Sequence, residues 1–261
     1  MRQNKKFIDL LLLLAYPVIG YFISFTLNIN AFFSSFVFFG VPALHLCLRR
    51  PRAIKRSLIF SLFALPMMIV IDYISQITKI WAWPLPNSIF PFKLLGHVSI
   101  EILVWAYLNF FVVVMFYEYF FETNHIKKLW YPITRQFVYL QAVFCGIFII
   151  LMIAWPNLLH IPYWYLVFGL LFLLPPIILE EIRFPHVFLK LLKASVYFMY
   201  LTFIYEIAAL KIGWWQFPSK QFIGVLPILG LRIPFEEFLF WIILLGLTIL
   251  SFYEYFDNNE R

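Results

Sequence analysis

Eight stretches of this chain, at roughly 7–27, 31–48, 57–78, 98–121, 137–155, 164–182, 194–210 and 234–256, are apolar over a length close to that needed to cross a bilayer, about 20 residues for a helix. The second, sixth and seventh are the shortest. Inside lipid every backbone N–H and C=O must be satisfied without water, which leaves helices and closed barrels as spanning structures. Continuous apolar runs of this length, without alternation, specify helices. A hydrophobic content of 64% with only 13% charged residues fits no ordinary soluble domain. The expected fold class is all-α: a polytopic membrane helix bundle of about eight spans.

The second constraint is internal repetition. The pentapeptide Phe-Tyr-Glu-Tyr-Phe occurs at 116–120 and again at 252–256. With the same displacement of 136 positions, Glu101 matches Glu237 and Trp105 matches Trp241. With a displacement of 134, Pro42 matches Pro176, Arg49 matches Arg183, Pro51 matches Pro185 and Asp72 matches Glu206. The change of displacement places a small length difference between Asp72 and Glu101. The pattern predicts a tandem duplication, with a first membrane repeat over 1–126 and a second over 127–261. Four spans per half is an even number, so the repeats would be parallel, related by an axis along the membrane normal. The stretch 122–136 is the candidate hinge.

Charge tests the span count. With eight spans, fifteen of the 20 basic residues fall on the side of the two termini, against Lys79, Lys93, Lys211, Lys220 and Arg232 on the other. This bias places both termini in the cytoplasm. The net charge of +7 then reflects topology and anionic headgroups, not nucleic acid. The basic start followed by an apolar run resembles a signal sequence without a small-residue cleavage site, and reads as an uncleaved first span. Cys47 and Cys145 lie inside spans, so a structural disulfide is not expected.

Acidic residues inside apolar segments are costly and by default mark function. Asp72 falls in the outer third of its span, Glu101 in the first turn of the next, Glu206 late in the seventh, and Glu236 with Glu237 at the start of the eighth. All five would lie at similar depth near the outer side. The bland alternative is that they cap helix ends or pair with Lys79, Lys211 and Arg232. Glu101 with Trp105, and Glu237 with Trp241, are spaced i,i+4 and share a helix side. A carboxyl group can exchange a proton, and an indole face can stabilise a cation. Together they suit carbocation chemistry on an apolar substrate, although a single Trp is also common at membrane interfaces. Trp81 and Trp83 precede Glu101 as Trp214 and Trp215 precede Glu237, either as lids over a cleft or as an interfacial belt. Glu118 and Glu254 fall at the opposite ends of their helices and read as anchors. Glu180, Glu181 and Arg183 read as a solvated charge cluster, and Pro175 with Pro176 as a kink in the sixth span.

Neighbouring Glu236 and Glu237 point about 100° apart around a helix, so they need not share a proton. No glycine-rich nucleotide loop is present, and the histidines are too scattered for a metal pair. No cofactor and no metal are expected.

The stretch Gly213-Trp214-Trp215-Gln216-Phe217, then Gly224, then Ile233-Pro234-Phe235-Glu236-Glu237-Phe238-Leu239-Phe240, resembles the signature of the heterodimeric-type lycopene cyclase domain. In that family a Trp-containing loop and a Gly precede a Pro-x-Glu-Glu-x-x-Phe helix start. The family works as paired or fused small membrane domains, which agrees with a duplicated chain. The likeness covers 206–256 best, and its counterpart 72–120 more faintly.

What the resemblance implies is carotenoid ring formation without redox change. A proton adds to the terminal double bond, the C5=C6 bond attacks the tertiary cation, and a neighbouring proton leaves. Pro234, Glu236 and Glu237 occupy the motif positions, making these acids the acid/base candidates. Glu101, Asp72 and Glu206 join them, with Trp105, Trp241, Trp81, Trp83, Trp214, Trp215, Pro234 and Phe240 as substrate contacts. The first half departs from the pattern, with Val98 where the second has Pro234 and Ile100 where it has Glu236. Expected partners are membrane lipid, an isoprenoid substrate and further copies or relatives of the chain. The rival reading is a proton-coupled transporter or binding protein for an apolar or isoprenoid molecule. A purely structural assembly protein would leave the acids unexplained.

Overall fold

The computed structural model describes residues 2–83, 88–122 and 132–256. The expected repeat boundary at 126 and 127 lies outside the described residues. Helices dominate: α1 (Arg2–Leu27), α2 (Ala31–Arg49), α3 (Pro51–Ser61), α4 (Ala64–Ile77), α5 (Ile100–Phe120), α6 (Pro132–Ala154), α7 (Trp164–Arg183), α8 (Pro185–Ile212) and α9 (Glu237–Tyr255). Seven are individually long and apolar enough to cross a membrane, and α3 with α4, bent by 40°, make an eighth if taken as one broken span. The chain is thus an all-α, multi-pass membrane helix bundle.

Prolines explain its irregular places. A proline inside a helix lacks an N–H, and its ring crowds the carbonyl four residues back. Pro66 meets that conflict at Leu62, where the chain breaks between α3 and α4 and Leu65 N–H bonds Leu62 O instead. Pro42 and Pro176 meet it inside wide π-turns, at Phe36–Gly40 of α2 and Gly169–Leu173 of α7. Each π-turn admits one extra residue into the coil and relieves the clash. Pro175 and Pro176 therefore act with a π-turn rather than as a simple kink. No proline interrupts α8, which is continuous from Pro185 at its first turn, well before the expected start at 194.

Two short antiparallel hairpins were not legible in the apolar pattern. β1 (Lys93–Leu94) pairs with β2 (Val98–Ser99), and β3 (Val225–Ile228) with β4 (Leu231–Pro234). Both turn on a Leu-Gly pair at positive φ, Leu95-Gly96 and Leu229-Gly230. Of their residues only Val98, Ser99 and Pro234 fall inside the expected fourth and eighth spans, at the very start of each.

Packing repeats with the halves exchanged: α1 lies on α8, and α6 lies on α4. The hydroxyls of Tyr197 and Tyr200 donate to Leu13 O and Leu14 O, tying α8 to α1. Trp164 Nε1 donates to Ile71 O, tying α7 to α4. α5 and α9 lie at the centre, 61% and 78% buried over their apolar windows, against 22% for α1 and 17% for α6. An apolar surface left open on α1 and α6 is what lipid contact requires.

At the ends away from the hairpins, buried acids anchor the helices. Glu118 accepts from Arg56 and from Tyr253 O–H. Asp9, unremarked in the sequence, is buried and accepts from Arg49, Tyr119 and His45 Nε2. Glu180 is fully buried, which corrects its reading as part of a solvated cluster. Only Glu181 and Arg183 of that group are exposed.

Candidate functional site

The candidate acids separate into two groups. Asp72 on α4, Glu206 on α8 and Glu237 at the start of α9 line one cavity of about 50 Å³. Glu101 and Glu236 do not. Glu101 Oε1 accepts from Ser88 Oγ at 2.8 Å, Ile89 N at 2.7 Å and Phe90 N at 3.0 Å. Glu236 Oε1 accepts from Ile223 N at 2.7 Å. Each acid therefore clamps the loop that leads into the hairpin before its own helix.

This pairing corrects the alignment of the two halves. Glu101 follows the end of β2 by two residues, as Glu236 follows the end of β4. By position and partner, Glu101 corresponds to Glu236, and Ile102 to Glu237. Both Ile102 and Glu237 line the cavity, as do Trp105 and Trp241. The extra residue needed between Glu236 and Trp241 is taken up by a π-turn over Glu237–Leu244, absent from α5. Matching Glu101 to Glu237 from sequence failed because a π-turn leaves no mark in an apolar stretch.

The cavity is built from repeat-related pairs. Asp72 and Glu206, Trp81 and Trp215, and Trp105 and Trp241 all line it. Above it Ala82 and its counterpart Gln216 pair antiparallel with each other, N–H to O at 2.9 and 3.0 Å. A residue that pairs with its own repeat counterpart places the local two-fold axis between them. The indoles of Trp81, Trp83 and Trp215 cluster with centroids 5.8–6.3 Å apart. Of the rings chosen from sequence, Trp83 thus backs the wall. Trp214 turns away, donating to Ile29 O, and Phe240 packs on Gly169. Pro234 closes β4 opposite Val225. Tyr165, which carries no sequence signal, joins the wall with its ring 6.0 Å from Trp241.

Two of the three acids are held. Asp72 accepts from Gln76 Nε2 at 3.2 Å and Ser99 N at 3.3 Å, and Glu206 from Trp215 Nε1 at 3.0 Å. Glu237 has no hydrogen-bond partner among the described residues. None of the five acids forms an ion pair among the described residues, so pairing with Lys79, Lys211 or Arg232 does not occur there. No Lys, Arg or His lines the cavity. Its lining brings three carboxyl groups and five aromatic residues together, with the buried Ser75 Oγ and Trp105 Nε1 as further polar atoms, an environment that favours a positively charged occupant or transition state. A smaller, apolar cavity of about 20 Å³ continues past Trp105 and Trp241 toward Met67 and Met68. Among the described residues no group of acids, cysteines or histidines could hold a metal ion.

No family model matches the chain, and neither curated proteins nor solved structures gave a match.

Proposed function

We propose that the chain is a membrane-embedded cyclase acting on a carotenoid or related polyene end group, by acid/base isomerisation through a carbocation. The observation that carries this reading is the convergence of Glu237 with Asp72 and Glu206 on a cavity also lined by Trp105 and Trp241, with no basic residue on the wall. Glu237, free of hydrogen bonds, is the group placed to exchange a proton with the substrate. Protonation of the terminal double bond forms a tertiary cation. The C5=C6 π-bond attacks it, closing the ring and moving the charge to C5. Loss of a proton from a neighbouring carbon restores neutrality, so product and substrate are isomers. Trp105 and Trp241 stabilise the cation through their rings, and Asp72 and Glu206 add anionic or dipolar stabilisation from either side of the axis.

A cavity of about 50 Å³ holds a few waters and not a polyene end group. Entry thus requires opening, and the apolar extension past Met67 and Met68, beside the break between α3 and α4, is the side that can yield. Methionine is unbranched and repacks at little cost. We place both termini in the cytoplasm from the distribution of basic residues. A cysteine introduced at Lys5 should then react only with reagent supplied from the cytoplasmic side. Expression in cells that accumulate lycopene, with pigments resolved by chromatography, tests the activity. Cyclised product is expected. Unchanged lycopene with the protein present in the membrane refutes the reading.

A further inference from the structure

At the opposite end of the bundle from the acids, a cavity of about 370 Å³ opens beside α3 and the end of α9. Its lining is amphiphilic in a graded way. Arg52, Lys55 and Arg56 stand at one end, followed along α3 by Ile59 and Phe60 and, just past its end, by Phe63. Steps of three and four residues put the first five on one side of the helix, and Phe63 continues the row in the break before α4. The basic end therefore passes directly into an apolar groove open toward lipid, with Ile59 52% and Phe63 49% exposed.

The charges in this cavity are not equivalent. Arg56 is engaged by Glu118 and lies over the ring of Tyr253, with 5.4 Å to its centroid. Glu118 also accepts from Tyr253 O–H and faces Arg50 at 3.9 Å, so its carboxyl group is matched by two arginines. Arg52 and Lys55, both exposed, have no ion-pair or hydrogen-bond partner among the described residues. Basic pockets at the end of a helix bundle recognise anionic headgroups. Arginine suits phosphate oxygens by its planar fork of donors.

We propose that this groove binds a phosphate-bearing amphiphile, with the phosphate on Arg52 and Lys55 and the hydrocarbon chain along Ile59 and Phe63. The same phosphate chemistry could come from a bilayer lipid or from free phosphate, and the test separates them. The purified full chain in detergent is titrated with phosphatidic acid, with phosphatidylcholine of matched chains, and with inorganic phosphate, and adducts are counted by native mass spectrometry. One phosphatidic acid per chain is expected in preference to phosphatidylcholine. Arg52→Gln with Lys55→Gln should weaken it on the order of thirtyfold. Arg52→Lys with Lys55→Arg, which keeps both charges, should retain it. Uptake of inorganic phosphate with the same dependence on Arg52 and Lys55 supports the phosphate seat and makes free phosphate a sufficient source. Phosphatidic acid without inorganic phosphate supports the lipid as the source. Equal adducts of the two lipids, or full binding by the double glutamine variant at unchanged melting temperature, overturns the proposal. Neither result depends on cyclase activity, so this site can fail without the acid cavity failing, and the reverse.

Discussion

Glu101 and Glu237 look interchangeable in the sequence, and replacing each by glutamine should separate them. In Glu101→Gln the side-chain shape is kept but the charge is lost from an oxygen that accepts three hydrogen bonds, from Ser88 Oγ, Ile89 N and Phe90 N. A hydrogen bond to a charged group exceeds a neutral one by about 1 kcal/mol, so the three together lose roughly 3 kcal/mol. At about 2–4 °C per kcal/mol for a chain of this size, the melting temperature should fall by roughly 6–12 °C. Glu237→Gln breaks no hydrogen bond, and its melting temperature should stay within about 2 °C of the parent. Its turnover should instead fall by about 10²–10⁴-fold, the usual contribution of a positioned proton donor. Fluorescence melting in detergent and conversion of a polyene substrate, at matched protein levels, read both quantities. A Glu101→Gln variant that melts like the parent would refute the loop clamp. Full turnover in Glu237→Gln would remove the acid from the chemistry.

Three further outcomes are expected. A Cβ at Gly169 would lie 2.4 Å from the ring of Phe240, so Gly169→Ala should destabilise by about 1–3 kcal/mol in thermal unfolding, and Phe240→Val should restore most of it. Asp9→Asn leaves Arg49 and His45 facing a neutral amide in a buried setting, which should cost about 2 kcal/mol by the same melting assay. His97, in the loop of the first hairpin, is held below its ordinary pKa of 6.5, first by burial and then by Lys93. Folding therefore disfavours its protonation, and its contribution to stability is present above pH 6.5 and lost as the pH falls through that value toward the lower folded pKa. Melting temperature against pH should show this loss in the parent and not in His97→Asn.

The span pattern was legible because apolar runs of bilayer length permit few structures, and the broken third span covers most of its expected stretch of 57–78 while starting earlier, at Pro51. Hairpins escaped notice because Leu94, Leu95, Val98 and Val225–Ile228 are as apolar as the helices they precede. The acids were legible as a set, since five carboxyl groups in lipid-length segments carry a visible cost. Their division was not. Which glutamate clamps a loop and which faces the cavity depends on backbone N–H groups of Ile89 and Ile223, and side-chain identity carries no record of those. Tyr165 was hidden for a related reason, being one tyrosine among many aromatic residues until the fold brings it beside Trp241.

The corrected register makes its own prediction, because it names a different residue as the counterpart of the cavity acid. If Glu237 corresponds to Ile102 and not to Glu101, moving the acid across the local two-fold means the exchange Ile102→Glu with Glu237→Ile. Both positions line the same cavity and are largely buried, with Ile102 4% and Glu237 8% exposed. The exchange keeps one glutamate and one isoleucine on the cavity wall, so the balance of charge and volume is preserved. Trp105 stands three residues after Ile102 on α5, close enough to share its side of the helix, as Trp241 serves Glu237 on α9. The single variant Glu237→Ile should be inactive while folded. The double variant should recover conversion measurably above that single variant, and short of the parent because α5 lacks the π-turn of α9. Glu101 cannot substitute in either background while it remains bonded to Ser88, Ile89 and Phe90. A double variant that melts like the parent yet is as inactive as Glu237→Ile would show that the two sides of the cavity are not equivalent for proton transfer. The site would then belong to the second half alone.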